Sequence, residues 1–139
     1  MPGWVRVVLK PLSGLEGFMF KRGMKVQGRP LLKLATTGAR TGERRETVLA
    51  WFPDGDDFVV VGSNAGAARH PGWVFNLDAN PEATIDLGEG EFPVTAEMIT
   101  GDARDRKWAE IVETSPGYGK YVEKTDRVIP LFRLTRRTT

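Results

Sequence analysis

The chain has 139 residues, 40% of them hydrophobic and 27% charged, which is ordinary for one soluble globular domain able to bury a core without covalent staples. It contains no cysteine, which excludes disulfides, thiolate nucleophiles, iron–sulfur clusters and Cys-type zinc sites, and no apolar run approaches the roughly 18 residues of a membrane helix. The net charge of +2 is unevenly spread: Arg6, Lys10, Lys21, Arg22, Lys25 and Arg29 against Glu16 alone put residues 1–30 at +5 and the remainder at −3.

Residues 4–9 and 12–25 carry a mixed helical pattern interrupted by Pro11 and closed by Gly28 and Pro30, so residues 1–30 are expected to form a helical arm before a domain spanning 31–139. Lys10, Pro11, Lys21 and Arg22 interrupt the apolar run that a secretory leader needs, so a cytoplasmic location is expected. The arm's bulky apolar residues beside its basic ones suit either a helix packed on the domain or peripheral contact with the inner face of an anionic membrane.

From Leu31 the pattern changes to short strands. Residues 31–36, 46–52 and 58–61 read as strands, the last two forming a hairpin around Pro53-Asp54-Gly55-Asp56. A polar loop from Gly62 to His70 leads to a short helix that starts at Pro71 and ends near Asn80-Pro81. Residues 83–87 and 92–99 alternate as two further strands, and Pro93 predicts an edge position or a bulge for the second. Asp102 is the expected cap of a helix through Trp108, Ile111 and Val112; a helical piece from Tyr118 to Lys124 and a last strand, 128–134, complete the chain. About six strands with short helices make a mainly β architecture, too antiparallel for a doubly wound fold and enough to curl into a small barrel with its site at the rim.

Several chemistries are poorly supported. His70 is the only histidine, which leaves no pair of metal ligands at adjacent-turn spacing, and neither Ser13, Ser63 nor Ser115 sits in a nucleophile elbow. The dinucleotide glycine fingerprint and the Walker pattern are both missing. An anion-binding route is offered by the turn Thr37-Gly38-Ala39-Arg40-Thr41-Gly42-Glu43-Arg44-Arg45, where glycines permit close backbone approach and Arg40 and Arg45 carry planar forks matched to phosphate oxygens. An exposed charged hairpin is the simpler reading of that stretch taken alone. Small residues in Val61-Gly62-Ser63-Asn64-Ala65-Gly66 suit close approach to a flat ring, and Trp73 and Asn76, three apart on one helical face, offer a stacking surface beside an amide. Trp73 is equally suited to the core.

Together, the elements Thr36 to Gly42, Gly62 to Gly66, His70-Pro71-Gly72-Trp73-Val74-Phe75-Asn76-Leu77-Asp78-Ala79-Asn80-Pro81, and Tyr118 to Tyr121 with Thr125 to Pro130 resemble the deazaflavin-dependent nitroreductase family from about Leu31 to the C-terminus. The Pro-x-Trp-x-x-Asn-Leu-x-Ala-Asn-Pro stretch is the specific part. The resemblance implies a split β-barrel related to FMN-binding barrels, with coenzyme F420 as hydride donor and a quinone, activated alkene or nitro compound as acceptor. Carried over by position, it puts the cofactor tail on Ala39, Arg40, Thr41, Arg45, Glu46, Thr47 and Val48. The ring falls against Val61, Gly62, Ser63 and Asn64, against Gly72, Trp73, Val74, Phe75 and Asn76, and against Tyr118.

Tyr118 and Tyr121 are the candidate catalytic phenols, and glycines on both sides of Tyr118 predict a flexible rim rather than core packing. Nitroimidazole-active relatives carry a basic residue at position 39, lysine at 64 and tyrosine at 115, where this chain has Ala39, Asn64 and Ser115; the departures weigh against nitroimidazole activation more than against cofactor binding. An FMN enzyme and a non-catalytic carrier are the rival readings. No metal and no nucleic acid is expected, and a homodimer is.

Overall fold

The computed structural model describes residues 14–63, 70–123 and 127–137. Helix α1 is Gly14–Lys21, followed by strands β1 Leu31–Thr37, β2 Arg44–Ala50, β3 Phe52–Asp54 and β4 Asp57–Val61. Helix α2 is Gly72–Ala79; β5 Glu82–Asp86 and β6 Glu91–Ile99 follow; helices α3 Gly101–Thr114 and α4 Gly117–Val122 precede β7 Leu131–Arg136. One antiparallel sheet in the order β2-β1-β5-β6-β7-β4-β3 holds all seven strands. It curls so that β2 returns against β4 without pairing to it, giving the half-barrel shape of a split-barrel fold.

Strand β4 shows how the barrel is packed. Val60 faces Leu34, Ile85, Val94 and Leu134 inside the curl, where α2 inserts Trp73, Val74 and Leu77. Val59 and Val61 face the other way, toward Ile99, Ile111, Ile129 and Leu131, where α3 and α4 cover the sheet. A strand buried on both faces must be apolar at every position, which is why Phe58 to Val61 runs without a polar break.

Four local expectations change. The stretch read as one strand over 46–52 is broken at Trp51, whose N–H donates to the Pro30 carbonyl at 3.2 Å. Strand β2 therefore pairs with β1, whereas β3 turns away and forms the hairpin with β4 through Gly55-Asp56, Gly55 taking a left-handed φ of 62°. Pro93 is not on an edge, because β6 lies between β5 and β7. Arg137 N–H donates to the Pro93 carbonyl, so the ring nitrogen faces the same neighbour at the rung where β7 ends, and only a terminal ladder bond is lost. The residue before α3 is Thr100, and Asp102 lies inside the helix's first turn. The final strand begins at Leu131, after Pro130, and reaches Arg136.

Among the described residues no helix is long and apolar enough to cross a membrane, and no group of three or more His, Asp or Glu is placed to hold a metal ion.

Candidate active site

A cavity of about 410 Å³ opens at one end of the curl, walled by β2 (Thr47 to Ala50), the end of β4 with Val61 and Ser63, Pro71 and Trp73 at the start of α2, and Tyr118 and Tyr121 of α4. Thus seven of the residues singled out from the sequence, Thr47, Val48, Val61, Ser63, Trp73, Tyr118 and Tyr121, meet in one place. Trp73 is buried, and its ring packs edge-on against Phe132, centroids 5.8 Å apart, so it is at once a core residue and a wall of the cavity.

The β1–β2 turn stands next along the same strand. Arg45 and Thr47 are two apart on β2 and so share a face about 7 Å apart. Gly42 takes a φ of 72°, and its N–H bonds the Gly38 carbonyl, closing the turn. The Arg45 guanidinium lies over Gly38, where a Cβ would come within 3.3 Å of its Nε and 2.9 Å of Thr41 Oγ1. Its Nη2 makes a long 3.4 Å contact with Thr41 Oγ1, and its Nη1 is buried with no hydrogen-bond partner among the described residues. An orphaned guanidinium donor beside a glycine cradle leaves a fixed positive group unmatched, and an anionic oxygen supplies the missing acceptor. Ala39, Arg40 and Thr41 are exposed on this turn. Glu46 instead directs its carboxylate to Arg44, at 2.7 Å, and toward Lys33.

Asn76, anticipated as the amide beside the Trp73 stacking surface, is engaged within the protein. Its Oδ1 accepts from the Ala39 N–H at 2.9 Å and its Nδ2 donates to Thr36 Oγ1 at 3.0 Å, so the two ends of the amide tie α2 to the β1–β2 turn and to β1. Val74 points into the core, Phe75 is exposed beside His70, and Gly72 is exposed at the helix start. Asn64 lies outside the described residues.

Gly62 and Ser63 are braced by Arg127, whose Nη1 donates to the Gly62 carbonyl at 3.0 Å and whose Nη2 donates to the Ser63 carbonyl at 2.6 Å. The same guanidinium meets His70 Nδ1 at 2.7 Å. Burial, aided by that cation, holds His70 below its ordinary pKa, so the neutral ring accepts through Nδ1. A Cβ at Gly62 would fall 2.8 Å from Pro130 Cγ and 2.9 Å from Val74 Cγ2. Gly62→Ala is therefore expected to cost about 1–3 kcal/mol through overpacking, read as a lower midpoint in urea with an unchanged slope.

Tyr118 departs from its expectation most clearly: it is 6% exposed, packed among Phe52, Ile111 and Leu131 rather than on a flexible rim. The flanking glycines provide clearance, not mobility. A Cβ at Gly117 would displace the end of the Gln27 side chain, and one at Gly119 would press on Val112 at 3.3 Å, so glycine at both positions leaves room for those neighbours. Burial pushes the Tyr118 hydroxyl up to about 12, with Tyr121 adding to the shift and Arg29 opposing it, so at neutral pH it is a neutral donor.

The sequence reading missed the arm's share of the cavity. Glu16 and Met19 of α1, then Val26 and Leu31, line it, and α1 packs on β1 and β2. Burial raises the Glu16 carboxyl above its usual value. Glu16 and Met19, three apart and on one side of a short helix, were the available signal, but an isolated pair does not say which face is covered.

A split barrel with an apolar, tyrosine-walled cavity beside a cationic glycine turn defines a flavin-type oxidoreductase site. Residues 4–136 match the model of the F420H(2)-dependent quinone reductases, and the chain belongs to that family, whose hydride donor is reduced coenzyme F420. An F420H(2)-dependent quinone reductase of Mycobacterium tuberculosis strain H37Rv is 40% identical over 119 residues, covering 83% of this chain and 80% of that protein. The solved structure of the F420-H2-dependent reductase FDR-A superposes with a TM-score of 0.68 at 36% identity, over 76% of this chain and 94% of the other. A structure described as a domain-swapped dimer gives a TM-score of 0.69 at 32% identity, over 94% and 96%. The protein is accordingly a deazaflavin-dependent oxidoreductase.

Proposed function

We propose that this protein reduces a quinone held in the 410 Å³ cavity and binds F420 with its tail on the Arg45 turn. The buried Arg45 Nη1 beside Gly38, without a hydrogen-bond partner among the described residues, is the observation that carries this reading, because it fits an anionic tail. When bound, reduced F420 supplies the hydride. On this reading Ala39, Arg40, Thr41 and Arg45 hold the tail, while Thr47, Val48, Val61, Ser63 and Trp73 shape the pocket for the ring. Asn76 fixes the turn, and the apolar walls exclude water. Hydride and one proton convert a quinone to its hydroquinone, and the phenols of Tyr118 and Tyr121 are placed to hydrogen-bond the oxygen where negative charge develops.

The direct test is anaerobic oxidation of F420H2 with menadione, alongside fluorescence titration with F420 and FMN. Turnover and preferential F420 binding are expected, and tighter binding of FMN refutes the reading. Tyr121→Phe should lower kcat by about ten- to a hundredfold while leaving F420 affinity unchanged.

The arm also suits a membrane surface. Leu15 is 69% and Phe18 53% exposed, Met24 is exposed, and Lys21, Arg22 and Lys25 stand among them. Such a face binds anionic lipid through apolar insertion and charge together, at the inner leaflet where a quinone resides. Sedimentation with phosphatidylglycerol vesicles should carry the full chain down and leave a chain lacking residues 1–25 in solution. Because Glu16 and Met19 line the cavity, the truncation should also raise KM for the quinone with little change in F420 affinity. The domain-swapped neighbour supports a homodimer for this chain as well, which sedimentation equilibrium would establish.

A further inference from the structure

Gln27 has the only positive φ, 52°, among the described residues other than glycine. It forms a two-residue turn with Gly28, φ 76°, between Val26 and Arg29, whose backbones exchange hydrogen bonds of 3.0 and 2.9 Å. Tight turns with left-handed angles at both central positions favour asparagine, aspartate or glycine at the first of them. Glutamine gains nothing from such a turn, so its presence asks what the longer side chain does.

The side chain crosses to α4. Gln27 Nε2 donates to the Tyr121 hydroxyl at 2.8 Å, and Ser115, only 2% exposed, donates its hydroxyl to the Gln27 carbonyl at 2.8 Å. Oε1 lies where a side chain on Gly117 would otherwise stand. Backbone, carbonyl and amide are thus each fixed by a separate contact, and all of them deliver one N–H to the oxygen of one phenol in the cavity wall.

We propose that Gln27 is a positioning residue for the Tyr121 phenol, making the end of the arm part of the catalytic apparatus. An amide donor on the phenol oxygen fixes the ring's tilt and, by polarising the O–H bond, makes the phenol a stronger donor to an acceptor in the cavity. Asparagine at this position retains an amide and suits the turn better, but is one methylene too short to make the same contact. The inference rests on the proposed reading of Tyr121 as a phenol that meets the acceptor.

Gln27→Asn, Tyr121→Phe and the double variant separate the possibilities. For Gln27→Asn the expected result is an equal or higher Tm, unchanged F420 affinity, and a kcat with menadione lowered about five- to tenfold, the worth of one well-aligned hydrogen bond. The double variant should be no slower than Tyr121→Phe alone, since the two residues then act through one oxygen. In the cofactor-free protein, the Gln27 side-chain amide resonances should move on Tyr121→Phe. Full kcat in Gln27→Asn with a slow Tyr121→Phe overturns the positioning role and leaves the site reading standing. Losses that multiply in the double variant, or amide resonances indifferent to Tyr121→Phe, also overturn it. A silent Tyr121→Phe removes the site reading and the inference together.

Discussion

Tyr118→Ala is expected to destabilise the protein by about 3–5 kcal/mol, the range for emptying a buried aromatic site, and so to lower Tm by many degrees in a domain of this size. The ring is held between Phe52, at 5.7 Å and 72°, and Tyr121, at 5.5 Å and 89°, and removing it leaves a void among Val61, Ile111 and Leu131 that α4 cannot close while Gln27 and Ser115 pin it. Tyr118→Phe retains this packing, so any loss of turnover, expected at about tenfold or more, belongs to the hydroxyl. The same pair of variants has an alkaline signature. The native hydroxyl titrates near 12 against 10.0 for an unshifted phenol, so the folded state keeps a proton that the unfolded state has lost. The associated stability is complete below pH 10 and is lost as pH rises toward 12; Tyr118→Phe should flatten that part of the stability profile. Chemical denaturation of both variants across pH 8–11, beside kcat with menadione, is the measurement. A Tyr118→Ala protein as stable as the parent would show that the ring is not part of the core.

Arg45→Ala should weaken F420 binding by about ten- to a hundredfold, since a charge-assisted hydrogen bond in a partly buried setting is worth about 1.5–3 kcal/mol. Folding stability should change little or rise slightly, because the variant removes a buried donor that has no partner among the described residues. Arg40→Ala, at an exposed position on the same turn, should weaken binding less and mainly through screening-sensitive attraction. The parent's F420 dissociation constant should rise with added sodium chloride, and the slope should become shallower in Arg45→Ala. An affinity indifferent to both salt and Arg45 would place the anionic tail elsewhere, with Arg44 and Arg137 on the outer face of the sheet the next basic residues to test.

Much of this protein is legible from local pattern alone. The apolar run at Phe58 to Val61, the glycine turn at Gly55, the proline that opens α2 and the alternation in β5 and β6 are set by neighbours within a few residues, and they appear where the sequence puts them. Order and spacing around Trp73 and Asn76 were enough for the family, because those motifs follow one another in a fixed order and spacing along the chain. What the sequence did not contain was which segments meet across the curl. The break at Trp51 depends on Pro30 offering its carbonyl, the tolerance of Pro93 on where β7 happens to end, and the burial of Tyr118 on how α4 packs at Gly117 against Gln27 of the arm and at Gly119 against Val112 of α3. Helical spacing puts Asn76 beside Trp73, but that its amide meets Thr36 and Ala39, about forty positions away, is decided by the tertiary structure. Spacing along the chain determines which side chains share a face; only long-range pairing of the strands decides what that face is turned against.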